Sequence, residues 1–168
     1  LFDVDTIRLQ YGKEFLERTY VSKFGSNGYA SIKTYLDYRE MLEDKSIDAV
    51  AISTPDHWHA QPAIEAALAG KDIFLQKPAS LTIREGRQMA DIVKQTGRIF
   101  QLGSQQRSDA HFRMACELVR NGRIGKVKEI YIGLPEDPPG EEEPEMPVPP
   151  NLDYDMWLCS LNDAEYTE

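Results

Sequence analysis

Cysteine and histidine are scarce in this 168-residue chain, long apolar runs are absent, and positive charge is in deficit. The two cysteines, Cys116 and Cys159, have no neighbour at metal-ligand spacing, so they are expected to be buried or half-buried thiols and say nothing of redox compartment. Of the three histidines, His57 and His59 lie together while His111 stands alone without paired ligands, which argues against a zinc site. No apolar run approaches the roughly 18 residues that span a bilayer. Nineteen basic against twenty-eight acidic residues give a net charge of −9, the wrong sign for an electrostatic binder of nucleic acid or anionic membrane. Much of that acidity sits in one stretch, Glu136, Asp137, Glu141, Glu142, Glu143 and Glu145, read as a solvated loop. Small-molecule chemistry fits this balance better.

What is present is an ordinary globular mixture, 41% hydrophobic and 28% charged, with enough apolar residues to bury a core. Ile7, Tyr11, Phe15, Leu16 and Tyr20 recur at three- and four-residue spacings, the mark of an amphipathic helix that Gly25 ends. A turn is expected at Asn27-Gly28, and Asp37 can cap a short helix through Leu42. Asp48 to Ser53 reads as a strand buried on both faces. The segment from His57 to Ala69 reads as a helix stopping at Gly70, and Asp72 to Leu75 as the next strand.

Thr82 and Glu85 form a capping box for a helix whose Met89, Ile92 and Val93 face the core until Gly97. A strand from Arg98 to Gly103 follows, then a helix from Asp109 to Arg120 closed by Gly122. Alternating residues Val127 to Ile132 read as the first strand of a second domain, and the Pro- and Glu-rich stretch 134–150 as a long extended loop. Repeated helix-then-strand units with apolar strands imply an α/β fold, a doubly wound parallel sheet.

In such sheets ligands sit at the carboxyl ends of the strands, which directs attention to three loops. The first is Ser53-Thr54-Pro55-Asp56-His57-Trp58-His59, the second Gln76-Lys77-Pro78, and the third Gly103-Ser104-Gln105-Gln106-Arg107. Taken with Asp48 to His59, Gly70 to Pro78, Gly97 to Arg107 and Leu118 to Lys126, these loops make the chain resemble the glucose-fructose oxidoreductase, inositol dehydrogenase and rhizopine-catabolism (Gfo/Idh/MocA) family over nearly its whole length. Asp153-Tyr154-Asp155-Met156-Trp157-Leu158 resembles a feature of a sugar-active subset of that family.

The resemblance implies NAD or NADP on a Rossmann-type domain and a sugar, polyol or related substrate held over a second, α+β domain. Lys77 matches the lysine of the family's Glu-Lys-Pro motif, the expected catalytic group that touches both cofactor and reacting hydroxyl. An ammonium there would stabilise a developing alkoxide. Gln76 departs from the family's glutamate, which removes a charge that would pair with Lys77. Asp3 matches the acid that accepts the ribose hydroxyls and favours NAD over NADP, with Asp5 as the alternative and a helix-terminal acid as the competing structural role for either. Thr54, Pro55, Trp58, His59, Gln76 and Gln105 are the other expected cofactor contacts, and Arg107 joins Lys77 on the substrate side. Trp58 could equally fill the helix start, and His57 and His59 could be capping or core imidazoles.

The resemblance also implies a first strand and glycine-rich turn preceding Leu1, since none of Gly12, Gly25 or Gly28 forms a Gly-x-Gly-x-x-Gly run. Residues 1–125 are thus expected to be part of the dinucleotide-binding domain, and 126–168 the start of an incomplete C-terminal substrate and oligomerisation domain. Three function classes follow: an NAD-dependent dehydrogenase of a sugar or polyol, an NAD-dependent glycosidase working by transient oxidation and elimination, and a non-catalytic interaction protein on the same fold. A homo-oligomer in the cytoplasm or periplasm is implied, with no membrane span, no metal and no nucleic-acid partner.

Overall fold

Asp5 holds the first regular element in place by accepting the backbone N–H of Ile7 and of Arg8 at 2.8 and 3.1 Å, so that helix α1 runs Thr6–Phe24 and stops at Gly25. The computed structural model describes residues 1–26, 31–136, 140, 143–159 and 165–167. The turn expected at Asn27-Gly28 lies outside the described residues.

Asp37 caps α2 (Tyr38–Glu43), and β1 (Ala49–Ile52) follows. A 3-10 turn, Asp56–Trp58, leads into α3 (Ala60–Leu68). Pro62 is tolerated in the first turn of α3, where its missing N–H would have had no helical partner. Then come β2 (Asp72–Gln76), α4 (Ile83–Thr96), β3 (Phe100–Gly103), a second 3-10 turn at Gln105–Ser108, α5 (Ala110–Arg120) and α6 (Tyr154–Leu158). The Thr82–Glu85 capping box is formed in both directions at 2.8 and 3.2 Å. Gly97 ends α4 at a φ of +67°, a conformation that costs side-chain-bearing residues energy.

The three strands form one parallel sheet in the order β1-β2-β3, with Ile52 opposite Leu75 and Gln76 opposite Gly103. Beside the sheet, Phe2 makes an isolated parallel bridge to Tyr35. Asp44 secures that bridge by accepting Lys33 Nζ and the Tyr35 hydroxyl, both at 2.7 Å. The core lies between the sheet and α2, α3 and α4. Leu75, Ala63 and Ala66 are fully buried there, and Tyr38 packs edge-on against both Phe2 and Trp58. The buried Lys71 ammonium donates to the carbonyls of Asp44 and Ile47, each at 2.8 Å, which satisfies a charge that would otherwise be costly to bury.

Four expectations need correction. β1 is buried on one face only, because α3 covers the side of Val50 and Ile52 while Ala49 and Ala51 are exposed; on β2 Phe74 is 45% exposed. α1 forms, but Ile7, Tyr11, Phe15 and Tyr20 face outward and Leu9 is its one buried residue among those described. Val127 to Ile132 pairs with no strand among the described residues; alternation supplies a strand's two faces but not the neighbour that completes its hydrogen bonds. Cys116 is exposed, because α5 buries none of its residues, whereas Cys159 is half-buried as expected.

Candidate active site

Because all three strands are parallel, Ile52, Gln76 and Gly103 end at one edge of the sheet and hand the chain to the three loops singled out above. Each loop is braced by its own backbone. In the first, the Trp58 N–H donates to the Pro55 carbonyl at 2.8 Å and Thr54 Oγ1–H donates back to the Trp58 carbonyl at 2.9 Å. In the third, the Arg107 N–H donates to the Ser104 carbonyl at 3.0 Å.

The middle loop turns on Gln76, whose Oε1 accepts the N–H of Lys77 at 2.8 Å; the Lys77–Pro78 peptide is cis. The Gln76 amide therefore holds the turn's backbone. A Cβ on Gly103 would stand 3.0 Å from Gln76 Oε1 and 3.2 Å from the Leu75 carbonyl, closer than such contacts ordinarily come, so glycine lets β3 press against this turn. Lys77, Gln105 and Arg107 are exposed, and the Lys77 ammonium has no partner among the described residues. Thr54 is half-buried and Pro55 exposed.

Trp58 and His59 are placed differently. Trp58 is 8% exposed, and its indole N–H donates to the Trp157 carbonyl at 3.0 Å. His57 Nε2 reaches the same carbonyl at 2.7 Å while its ring meets the Trp157 indole edge-on. His59 is 1% exposed, with Nδ1 against the Pro78 carbonyl and Nε2 2.8 Å from the Thr54 carbonyl. Of the two readings open for these residues, packing and loop support describe their surroundings.

The two N-terminal acids divide their work. The Asp5 carboxylate is committed to Asn151 Nδ2 at 2.9 Å and to the α1 N-terminus, and these bonds hold it below its ordinary range. Asp3 accepts only the Asp5 N–H, through Oδ1 at 2.9 Å, and its other oxygen has no partner among the described residues. Asp3 lines a cleft of about 1170 Å³ between the Phe2–Tyr35 bridge and β1, together with Ser53, Thr54 and Pro55. Across its mouth the 149–158 segment ties to the strand end, through the Thr6 N–H to Asn151 and the Asp153 N–H to Val4, both at 2.9 Å. No cluster of three metal-ligating side chains occurs among the described residues, and no helix is long and apolar enough to cross a membrane.

Comparison with known proteins gives this geometry its context. The oxidoreductase family with an NAD-binding Rossmann fold, Gfo/Idh/MocA, matches residues 16–104. The chain is 41% identical over 108 residues to scyllo-inositol 2-dehydrogenase (NAD(+)) of Bacillus subtilis, covering 62% of this chain and 31% of that protein. It is 33% identical over 122 residues to myo-inositol 2-dehydrogenase of Thermotoga maritima, covering 73% and 34%. Among solved structures, myo-inositol 2-dehydrogenase from Lactobacillus plantarum superposes with a TM-score of 0.60 at 31% identity, over 75% of this chain and 34% of that one. Scyllo-inositol dehydrogenase from Lactobacillus casei with bound NAD(H) and scyllo-inositol gives 0.54 at 32% identity, over 66% and 32%. The chain spans about a third of the length of the curated relatives it matches. With its parallel sheet and three loops at one edge, the chain belongs to the Gfo/Idh/MocA oxidoreductase family of NAD-binding Rossmann fold.

Proposed function

We propose that the protein carrying this chain is an NAD-dependent dehydrogenase of a polyol or sugar hydroxyl. The observation that carries the reading is the exposed Lys77 ammonium, unpaired among the described residues, at the carboxyl edge of the sheet beside the loops of Thr54 and Gln105. The inositol dehydrogenases to which the chain is similar make a cyclic polyol the substrate class to test first.

The residues present fit a dinucleotide laid along the carboxyl edge of the sheet. The free oxygen of Asp3 can accept ribose hydroxyls and would repel a 2′-phosphate, which favours NAD over NADP. Thr54 and Pro55 stand in the loop after β1, and Gln105 offers an amide from the loop after β3. When bound, NAD supplies a two-electron acceptor for the hydrogen on the carbinol carbon. The Lys77 ammonium donates to the carbinol oxygen and stabilises the charge that grows there as the hydroxyl proton passes to solvent. Arg107 orients the remaining hydroxyls. Trp58, His59 and Gln76 act behind these contacts, by supporting the loops that present them.

The test is Lys77→Met in the complete protein, which keeps the length of the stem and removes the charge. With NAD and myo- or scyllo-inositol as probes, turnover should fall on the order of 10²-fold, about 2.7 kcal/mol of transition-state stabilisation, while NAD affinity and melting temperature stay close to wild type. Turnover within a few-fold of wild type in a folded variant would remove Lys77 from the chemistry. Release of phenolate from p-nitrophenyl glycosides without net NADH would replace the dehydrogenase reading with a glycosidase.

A further inference from the structure

We infer that His59 is a positioning residue, a clamp between the two loops that would present cofactor and substrate, and that its two ring nitrogens hold different loops. The inference rests on the functional reading above. The side chain is 1% exposed, so it is closed to ligands and its role must be exerted through what it touches. Nε2 lies 2.8 Å from the carbonyl of Thr54, in the loop after β1. Nδ1 contacts the carbonyl of Pro78, in the turn after β2, one residue from Lys77.

Both partners are backbone carbonyls, which can only accept, so the ring serves both when a proton sits on each nitrogen and one when it carries a single proton. No side chain competes for either nitrogen among the described residues. The ring is itself fixed: it stands between the 3-10 turn Asp56–Trp58 and the start of α3, where the Ala63 N–H donates to its own carbonyl at 3.4 Å. A rigid helix entry thus sets the distance between Thr54 and the Lys77 turn. Strand pairing between β1 and β2 does not do this, because its register stops at Ile52 and Leu75.

The two arms can be cut separately. His59→Asn places an amide near the position of Nδ1 and keeps the Pro78 arm, whereas His59→Gln places it near Nε2 and keeps the Thr54 arm. In the complete protein, with NAD as the first probe and myo- or scyllo-inositol as the second, H59Q should lower kcat about tenfold with NAD affinity within twofold of wild type. H59N should weaken NAD binding about tenfold with a smaller change in kcat. H59L, which keeps bulk and neither arm, should show both losses. If H59N and H59Q both fold, and NAD affinity and kcat move together in both or stay within twofold of wild type in both, His59 is a packing residue and the clamp is wrong. If wild type itself binds no NAD, the functional reading fails and the proposal with it, an outcome distinct from the variants alone being silent. Should every variant fail to fold, 15N NMR of the wild-type ring replaces them: slowly exchanging N–H protons at both Nδ1 and Nε2 support the clamp, and a ring that carries a proton on one nitrogen alone overturns it.

Discussion

Helices α4 and α5 carry similar sequence patterns and end in opposite states. Both begin at a capping side chain, Thr82 in one and Asp109 in the other, and both place apolar residues three and four apart. On α4 the stripe meets α3, so Met89 is 4% exposed with Ile92 and Val93 packed behind it. On α5 Phe112 is 56% exposed, Met114, Leu118 and Val119 are likewise uncovered, and no residue is buried. Periodicity states which face is apolar but cannot state what covers it. α5 is a helix with its face written and its partner unsupplied among the described residues, much like the uncovered side of the sheet at Phe74.

Truncating a core side chain should separate the two regions most. Leu75→Ala, at a fully buried strand position, should cost about 3 kcal/mol in denaturant unfolding of the complete protein. Phe112→Ala on α5 should cost no more than about 0.5 kcal/mol. A cost above about 2 kcal/mol for Phe112 would break the comparison and show that its face is covered by a part of the protein outside the described residues.

Caps give a smaller contrast. Thr82→Ala removes the capping box of a helix that holds the core, and about 1 kcal/mol of global stability should go with it. Asp109→Ala removes the acceptor for the His111 and Phe112 N–H groups. That should fray α5, seen as faster amide exchange in its first turn, and shift the global midpoint by a few tenths of a kcal/mol at most. Equal global shifts would mean that α5 unfolds together with the core.

The least effect concerns acid. Bonds from Lys33, Ser46 and Tyr35 to Asp44 hold its carboxyl well below the ordinary carboxylate range. A depressed folded-state value stabilises the protein above the unfolded value of about 4 and is lost as pH falls through the folded one. Asp44→Asn should therefore flatten the acid limb of the pH–stability curve below about pH 4 and lower the thermal midpoint slightly at neutral pH, since the stabilisation it removes there is the one wild type loses in acid. A limb as steep as wild type would assign the acid loss to other carboxylates.

The same contrast separates what was legible in the sequence from what was not. Asp37, Thr82 with Glu85, Asp109 and Gly97 each act on backbone within a few residues, so helix ends could be read locally. The three loops followed from strand order alone, because parallel strands must deliver them to one edge. Burial on β1, the outward face of α1 and the missing partner of Val127 to Ile132 depend on distant surfaces and could not be read in the same way. The Trp157 carbonyl that receives both His57 and Trp58 lies about a hundred residues away in sequence. Lys71 was missed as a support, and for His59 the capping or core reading was left open without its partners, because a buried polar side chain is identified by the carbonyls it meets. A faint signal was available for His59: a histidine at the mouth of an alanine-rich helix invites the question of what its two nitrogens bond.

Gly103 has a bearing on how such a protein can diversify. Every single-base change of a glycine codon that replaces the residue without ending the chain adds at least a Cβ, and here that atom would press on the Gln76 amide and the Leu75 carbonyl. Heritable variation at position 103 therefore disturbs the Lys77 turn before it can offer a new contact. Gln105 and Arg107, two and four residues on and open to solvent, carry no such restriction. If Arg107 meets the substrate as proposed, lineages acquiring new substrate preferences would be expected to record them at 107 while 103 stays glycine, so one loop holds a position closed to replacement beside one that is open to it.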